Sequence, residues 1–250
     1  MRLTTDLRLA PLSPFGVQVL AEPGQDVREL PLDRLRELVR TELLVLLRGF
    51  TGPATARECT AWTGAPVLDG EEGARPDPVP LHWDGLGATD IPEAQLLLCR
   101  SAGTGGQTTF TNTASLLAAT DPPVLHGWRQ VVITYRRRGR GTAATVPLVG
   151  RHPGHGGPVL RFHEPTEVTG WPDHQFGGLP AEAVPALLSG LHTALHDPAH
   201  HLVHTWRTGD VLLADNHTLL HGRRSGATGR RLLRAHLYRF TAPPQPEETR

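Results

Sequence analysis

The sequence predicts a mainly β protein with flanking helices, wound as a double-stranded β-helix (jelly-roll) barrel. Three observations carry that prediction. Short apolar and β-branched runs recur along the 250 residues, parted by turn residues. Glycine and proline are plentiful, 27 and 23 residues, as a chain with many turns requires. Only a few stretches carry the 3.6-residue apolar repeat of a helix, so the helices belong outside the strands. The length suits one large domain spanning 1–250, with a Pro- and Glu-rich frayed tail over 242–250. Neither an internal repeat nor a domain linker stands out.

Taken in order, Leu7 to Leu20 holds Pro11, Pro14 and Gly16 and reads as an extended lead-in ending in a strand, Val17 to Leu20. Leu30 to Asp33 opens a helix, with Asp33 as its cap and Leu35, Leu38 and Val39 as its apolar stripe. Leu43 to Leu47 is a continuous apolar run, a buried strand by its length. Thr51 to Pro80 is loop with one short helix near Ala54 to Thr60, placed to cover a site. Strands follow at Pro92 to Ser101 and before Thr111, and Asn112 caps a helix over Ala114 to Ala119. Gln130 to Arg136 is β-branched and aromatic, a strand. Val146 to Phe162 reads as two strands around the turn Pro153 to Gly157. Leu179 to Leu195 is helical, with Pro185 tolerated only in its first turn. Strands at Leu202 to Trp206, Val211 to Ala214 and Arg231 to Phe240 complete the chain.

Charge bounds the function. There are 25 basic and 25 acidic residues, and that balance argues against a nucleic-acid or anionic-membrane partner; the expected partner is a small-molecule substrate. Every basic residue is Arg, so Schiff-base and P-loop lysine chemistry are excluded. The two cysteines, Cys59 and Cys99, are widely spaced and read as reduced buried thiols of a cytoplasmic protein. The first residues lack the pattern of a signal peptide, and no apolar run approaches the roughly 18 residues of a membrane span. Oligomeric state is not legible.

The chemistry centres on Pro80 to Gly85. His82 and Asp84 form an H-x-D pair, and on an extended strand residues i and i+2 share a face, with Cα atoms roughly 6.6 Å apart. One imidazole and one carboxylate could then meet on a metal ion. A third ligand comes from Asp210 to Arg223, where two histidines compete. His217 follows the turn-like Asp215-Asn216; His221 follows Leu219-Leu220 and precedes Gly222, and is the better candidate. Two histidines and a carboxylate form a facial triad, which leaves open positions and suits non-haem Fe(II). Such a site needs a co-substrate anchor. Arg230 and Arg234 alternate with Leu232 downstream, and a planar guanidinium suits capture of the far carboxylate of 2-oxoglutarate.

With these residues the chain resembles the TauD/TfdA-like Fe(II)- and 2-oxoglutarate-dependent dioxygenases from Pro14 to about Phe240. The resemblance rests on Arg48-Gly49-Phe50, His82-x-Asp84, Gly105-Gly106-Gln107-Thr108, Arg151-His152-Pro153, Trp206-x-x-Gly209-Asp210, Asp215-Asn216, His221 and the Arg-rich last strand. It implies that His82, Asp84 and His221 bind iron. It implies further that Arg230, helped by Thr108, holds the distal carboxylate, and that Arg234 lies near the other carboxylate or the substrate. The implied activity couples O2 and decarboxylation of 2-oxoglutarate to oxidation of a small substrate, by hydroxylation or desaturation. His82-Trp83-Asp84-Gly85, Ile91-Pro92-Glu93-x-Gln95-Leu96 and Ala214 to Arg223 look like the branch that tailors isonitriles derived from Tyr or Trp. An amino-acid-derived substrate, such as an isonitrile acid in secondary metabolism, is therefore expected. Phe162-His163-Glu164-Pro165 departs from the taurine-cleaving members, and taurine is not the expected substrate.

Blander readings compete at each position. A zinc hydrolase could use the same three ligands but would have no use for Arg230, and a third reading is a metal-poor β-barrel binding module; both predict no succinate from 2-oxoglutarate. His163, Asn216 and Arg137 are candidates to border the substrate, while Arg136 to Arg140 also reads as a solvated turn. His192, His196, His200, His201 and His204 cluster in sequence but lack the Glu of an H-E-x-x-H motif, and read as a surface helix and loop. Trp83, between two ligands, should face away from the metal into the barrel wall.

Overall fold

The computed structural model describes residues 7–53, 55–64, 71–72, 77–136, 143–168, 170–238 and 240. The chain runs through β1 (Leu9–Pro11), β2 (Val17–Leu20), α1 (Leu32–Glu42), β3 (Leu44–Arg48), α2 (Ala56–Thr63), β4 (Glu71–Glu72), β5 (Val79–His82), β6 (Ala94–Ser101) and β7 (Thr108–Asn112). There follow α3 (Thr113–Ala119), α4 (Pro122–Gln130), β8 (Val132–Arg136), β9 (Ala143–Pro147), β10 (Val149–Arg151), β11 (Pro158–Leu160) and β12 (Asp173–Gly177). The last elements are α5 (Val184–Leu195), β13 (His201–His204), β14 (Val211–Asp215), β15 (Leu219–Arg223) and β16 (Arg231–Leu237).

Two sheets form the jelly roll. The larger runs β1-β2-β3-β14-β6-β16-β4 and the smaller β13-β7-β15-β5. The period-two alternation of β6 shows how a core is placed on each face. Leu96 and Leu98 point outward and pack with Leu35, Leu38 and Val39 of α1, whereas Leu97 and Cys99 point inward to Phe110 and Leu219 of the small sheet. Behind the small sheet, Leu81 and Leu220 pack on Leu116, Trp128 and Leu191 from the helices and on Ile133 and Tyr135 from β8. The three-stranded sheet β12-β8-β9 completes this outer layer.

Several local expectations are corrected. Asp33 does not cap α1: Pro31 is the cap residue and makes no side-chain bond, while Asp33 lies in the first turn, 2.8 Å from Arg36. The proline fixes φ where the helix starts, so no side-chain acceptor is needed to set the entry. Asn112 does cap α3, accepting from Ser115 N at 3.1 Å. Helix α4 and strands β4 and β12 go beyond the predicted elements, and β9 begins three residues before the predicted Val146. Cys59 and Cys99 are buried free thiols, each pushed up to about 11 by burial. Among the described residues no helix is long and apolar enough to cross a membrane. The tail from 242 and Arg137 to Arg140 lie outside the described residues.

Candidate active site

The register of the small sheet builds the site. His221 on β15 stands directly opposite His82 on the edge strand β5. Opposed residues of antiparallel strands share a face, and the two ring centroids are 4.2 Å apart. Gly222 makes the approach possible, because a Cβ there would come within 2.7 Å of the Val79 carbonyl oxygen.

Asp84 reaches the pair differently from the predicted strand alternation. β5 ends at His82, and Asp84 sits in a bend closed by Gly85 at φ +105°. The turn, not the pleat, brings the carboxylate back. Asn216 holds that turn: its Oδ1 accepts from Asp84 N at 2.9 Å, and its Nδ2 donates to the carbonyls of Asp84 at 2.9 Å and Pro92 at 2.8 Å. Its side-chain amide is thus engaged by backbone groups of Asp84 and Pro92.

The donor atoms of His82, Asp84 and His221 lie within 4.8 Å of one another. Nε2 of His82 is 3.6 Å from Asp84 Oδ1, and Nε2 of His221 is 3.6 Å from Asp84 Oδ2. Donors about 2.1 Å from a common ion stand roughly 3 to 3.5 Å apart, so the set fits one metal with little movement. Its chemistry fits as well. Nδ1 of His82 lies 3.0 Å from the Pro80 carbonyl oxygen, which can only accept, so Nδ1 carries the proton and Nε2 keeps its lone pair.

Charge is arranged to match. Burial lowers the His221 pKa to about 3, with His82 adding to the effect, and so keeps the ring a neutral donor. For Asp84 burial acts upward, but His221, His236 and His82 outweigh it and hold the carboxyl well below the usual range. His236 Nε2 lies 2.8 Å from Asp84 Oδ2, and Arg234 Nη1 3.6 Å from it. Gln95 donates to the same oxygen and stands 2.9 Å from His221 Nε2.

A cavity of about 100 Å³ adjoins the triad, lined by His82, Gln95, Thr108, His221, Leu232 and Arg234. Arg230 lies behind its Thr108 wall. The residue is 1% exposed; its Nη1 donates to the Gly106 carbonyl and reaches Thr108 Oγ1 at 3.4 Å. Trp206 Nε1 fixes that hydroxyl from the other side at 2.9 Å. Arg230 immediately precedes β16 rather than lying within it.

Of the candidates for the substrate border, His163 is buried beside His82, with ring centroids 5.6 Å apart. Its Nε2 lies 3.1 Å from the Trp83 carbonyl oxygen, its Nδ1 is buried with no hydrogen bond, and burial keeps its pKa well below the usual histidine value. Arg137 lies outside the described residues. His217 turns away from the triad into a group with Asp215 and Arg161. Trp83 faces the outer layer, under the Arg161 guanidinium at 4.9 Å.

Three neighbours of the triad escaped the sequence reading. His236 continues the alternation of Arg230, Leu232 and Arg234, so the same periodicity, carried one step further, would have found it. Gln95 is a polar side chain at the start of the apolar run Leu96 to Cys99 of β6. Trp171, 5.2 Å from the His82 ring, sits in an irregular loop with no local signal.

Comparison with known proteins agrees with this geometry. The family model of taurine catabolism dioxygenases, TauD/TfdA, matches residues 8–241. A tyrosine isonitrile desaturase of Pseudomonas aeruginosa is 35% identical, over 90% of this chain and 87% of its own length. A 3-((Z)-2-isocyanoethenyl)-1H-indole synthase of Fischerella ambigua is 33% identical, over 85% and 88%. The crystal structure of PvcB from Pseudomonas aeruginosa superposes with a TM-score of 0.82 at 34% identity, covering 92% of this chain and 91% of that one. A further PvcB structure is described as that of an Fe, alpha-ketoglutarate dependent oxygenase from an isonitrile synthetic pathway.

Proposed function

Because the chain belongs to the TauD/TfdA dioxygenase family, we propose that it is an Fe(II)- and 2-oxoglutarate-dependent oxygenase acting on an isonitrile acid derived from an aromatic amino acid. The relatives named tyrosine isonitrile desaturase and 3-((Z)-2-isocyanoethenyl)-1H-indole synthase favour desaturation over hydroxylation. The balance is one substrate, one 2-oxoglutarate and one O2 giving one alkene, succinate, CO2 and water. The carrying observation is the convergence of two imidazoles and one carboxylate within 4.8 Å at a cavity backed by buried Arg230. On this reading the whole chain serves as one cytoplasmic dioxygenase domain.

His82, Asp84 and His221 would hold Fe(II), which supplies the one-electron chemistry needed to use O2. Two neutral rings and one carboxylate leave the ion a net positive charge, suited to an anionic 2-oxo acid. Arg230, with the Thr108 hydroxyl, takes the distal carboxylate of 2-oxoglutarate as a charge-assisted pair. Arg234 sits nearer the triad and faces the other carboxylate or the substrate acid. His236 and Gln95 orient the Asp84 carboxylate as outer partners of the ligands. His163 and Trp171 pack against His82 and give the substrate side of the site an aromatic border.

The test is anaerobic reconstitution with Fe(II) and 2-oxoglutarate, then O2 with a panel of amino acids and aryl isonitrile acids. Succinate formation that depends on an isonitrile acid, with a product two mass units lighter, is the expected result. A product sixteen units heavier would instead mean hydroxylation. Hydrolysis supported by Zn2+ without succinate would overturn the oxygenase reading.

A further inference from the structure

A second set of metal-ligating side chains lies outside the barrel, on the outer side of the small sheet. His192 lies in the last turn of α5 and His196, four residues on, is its C-cap residue. The carboxylate missing from their local sequence arrives from Glu164, on the loop after β11. Its Oε1 stands 3.0 Å from His192 Nδ1 and 2.9 Å from His196 Nε2. The three donor atoms all lie within 4.8 Å of one another, and the two nitrogen–oxygen separations, 3.0 and 2.9 Å, compare with the roughly 3.3 Å between ligands around a four-coordinate zinc.

Two features separate this group from an ordinary surface ion pair. Glu164 is anchored before any partner arrives: its Oε2 accepts from Leu81 N at 3.2 Å, and its own N–H donates to the Leu81 carbonyl at 2.9 Å. Its side chain is only 12% exposed, whereas those of His192 and His196 are 70% and 37% exposed. Two imidazoles also converge on one carboxylate oxygen, where an ion pair requires one. The group opens on a cavity of about 660 Å³, so an ion has a route in and room for water as a further ligand.

We propose that Glu164, His192 and His196 form a second metal site, separate from the His82–Asp84–His221 triad, for a borderline divalent transition ion such as Zn2+. Nitrogen donors with one carboxylate suit Zn2+, Co2+ or Ni2+ rather than Mg2+ or Ca2+. A bound ion would tie α5 to the loop that pairs with the edge of β5, one residue before His82. The site is thus placed to steady the strand that carries a triad ligand.

The experiment is a Co2+ titration of metal-free protein, followed by absorption spectroscopy and by metal analysis after desalting. Wild type is expected to bind two equivalents with distinct spectra. His192→Ala with His196→Ala should lose one equivalent, or weaken it at least tenfold, while His221→Ala should lose the other. Retention of the remaining equivalent in each variant shows that it is folded. Two equivalents in the doubly substituted protein, or a single wild-type equivalent that His221→Ala abolishes, would overturn the proposal. Neither result depends on turnover of 2-oxoglutarate.

Discussion

At Asp84 burial and charge pull in opposite directions, and the outcome decides whether the triad can take a cation. Burial alone would raise the carboxyl, but the surrounding histidines win, so an anion faces two imidazoles. His236, 2.8 Å from Oδ2, fixes the orientation of that anion. Loss of an outer partner of this kind typically weakens metal binding by about 10- to 100-fold. His236→Ala is therefore expected to weaken Fe(II) binding within that range while the fold survives, and an Fe(II) titration that matches wild type would refute the orienting role. Arg230→Ala should behave in the opposite way. It keeps iron but removes a charge-assisted partner worth about 1.5 to 3 kcal/mol, so 2-oxoglutarate affinity should fall by about 10- to 100-fold in an anaerobic titration. Unchanged affinity would reassign the anchor, with Arg234 as the next candidate.

At the scale of elements, the register of β15 on β5 and the turn after His82 divide the work of assembling the triad. Sequence made half of this legible. His82 and Asp84 were readable as a pair from their two-residue spacing, His221 from the apolar Leu219-Leu220 before it and Gly222 after it, and Arg230 and Arg234 from their alternation with Leu232. The route by which Asp84 returns was not, since the turn is held by Asn216, 132 residues away, through two hydrogen bonds to Asp84 and one to the Pro92 carbonyl. The joining of Glu164 to His192 and His196 was hidden for the same reason: a loop and a helix meet in space without any shared period. Helix α4, with a single buried residue, Trp128, has little apolar stripe to read. Asn216→Ala leaves buried backbone groups of the ligand turn unpaired, at about 1 to 3 kcal/mol. A drop in melting temperature of about 2 to 12 °C is expected for a chain this size. Weaker Fe(II) binding should accompany it, because the turn that loosens carries a ligand. Destabilisation with unaltered metal affinity would show that the turn finds its shape without the clasp.

Across the whole molecule, one buried ion pair joins the ends of the two sheets, and it predicts how the fold responds to acid. Arg48, at the end of β3, donates through Nε to Asp210 Oδ1 at 2.8 Å and through Nη2 to Oδ2 at 2.7 Å. The same Nη2 reaches the Thr205 carbonyl, just past β13, at 3.1 Å. Asp210 is 1% exposed, and its backbone carbonyl accepts from Cys99 N on β6. Burial pushes its carboxyl up, but the Arg48 guanidinium, the His204 ring 3.5 Å away and the bond from Arg207 N outweigh that and lower it from 3.8 to about 2. A carboxyl lowered in the folded state binds its proton more readily in the unfolded chain. Its contribution is therefore complete above about pH 4 and is lost as pH falls through about 2. The size of the shift corresponds to about 2 kcal/mol. Chemical denaturation of wild type and Asp210→Asn at a series of pH values separates this pair from every other acid-sensitive group, the triad included. The wild-type advantage should hold steady from pH 7 to about 5 and shrink below about 4. An advantage that stays constant to pH 3 would mean that the carboxylate contributes by its hydrogen-bonding shape, which Asn keeps in part, and not by its charge.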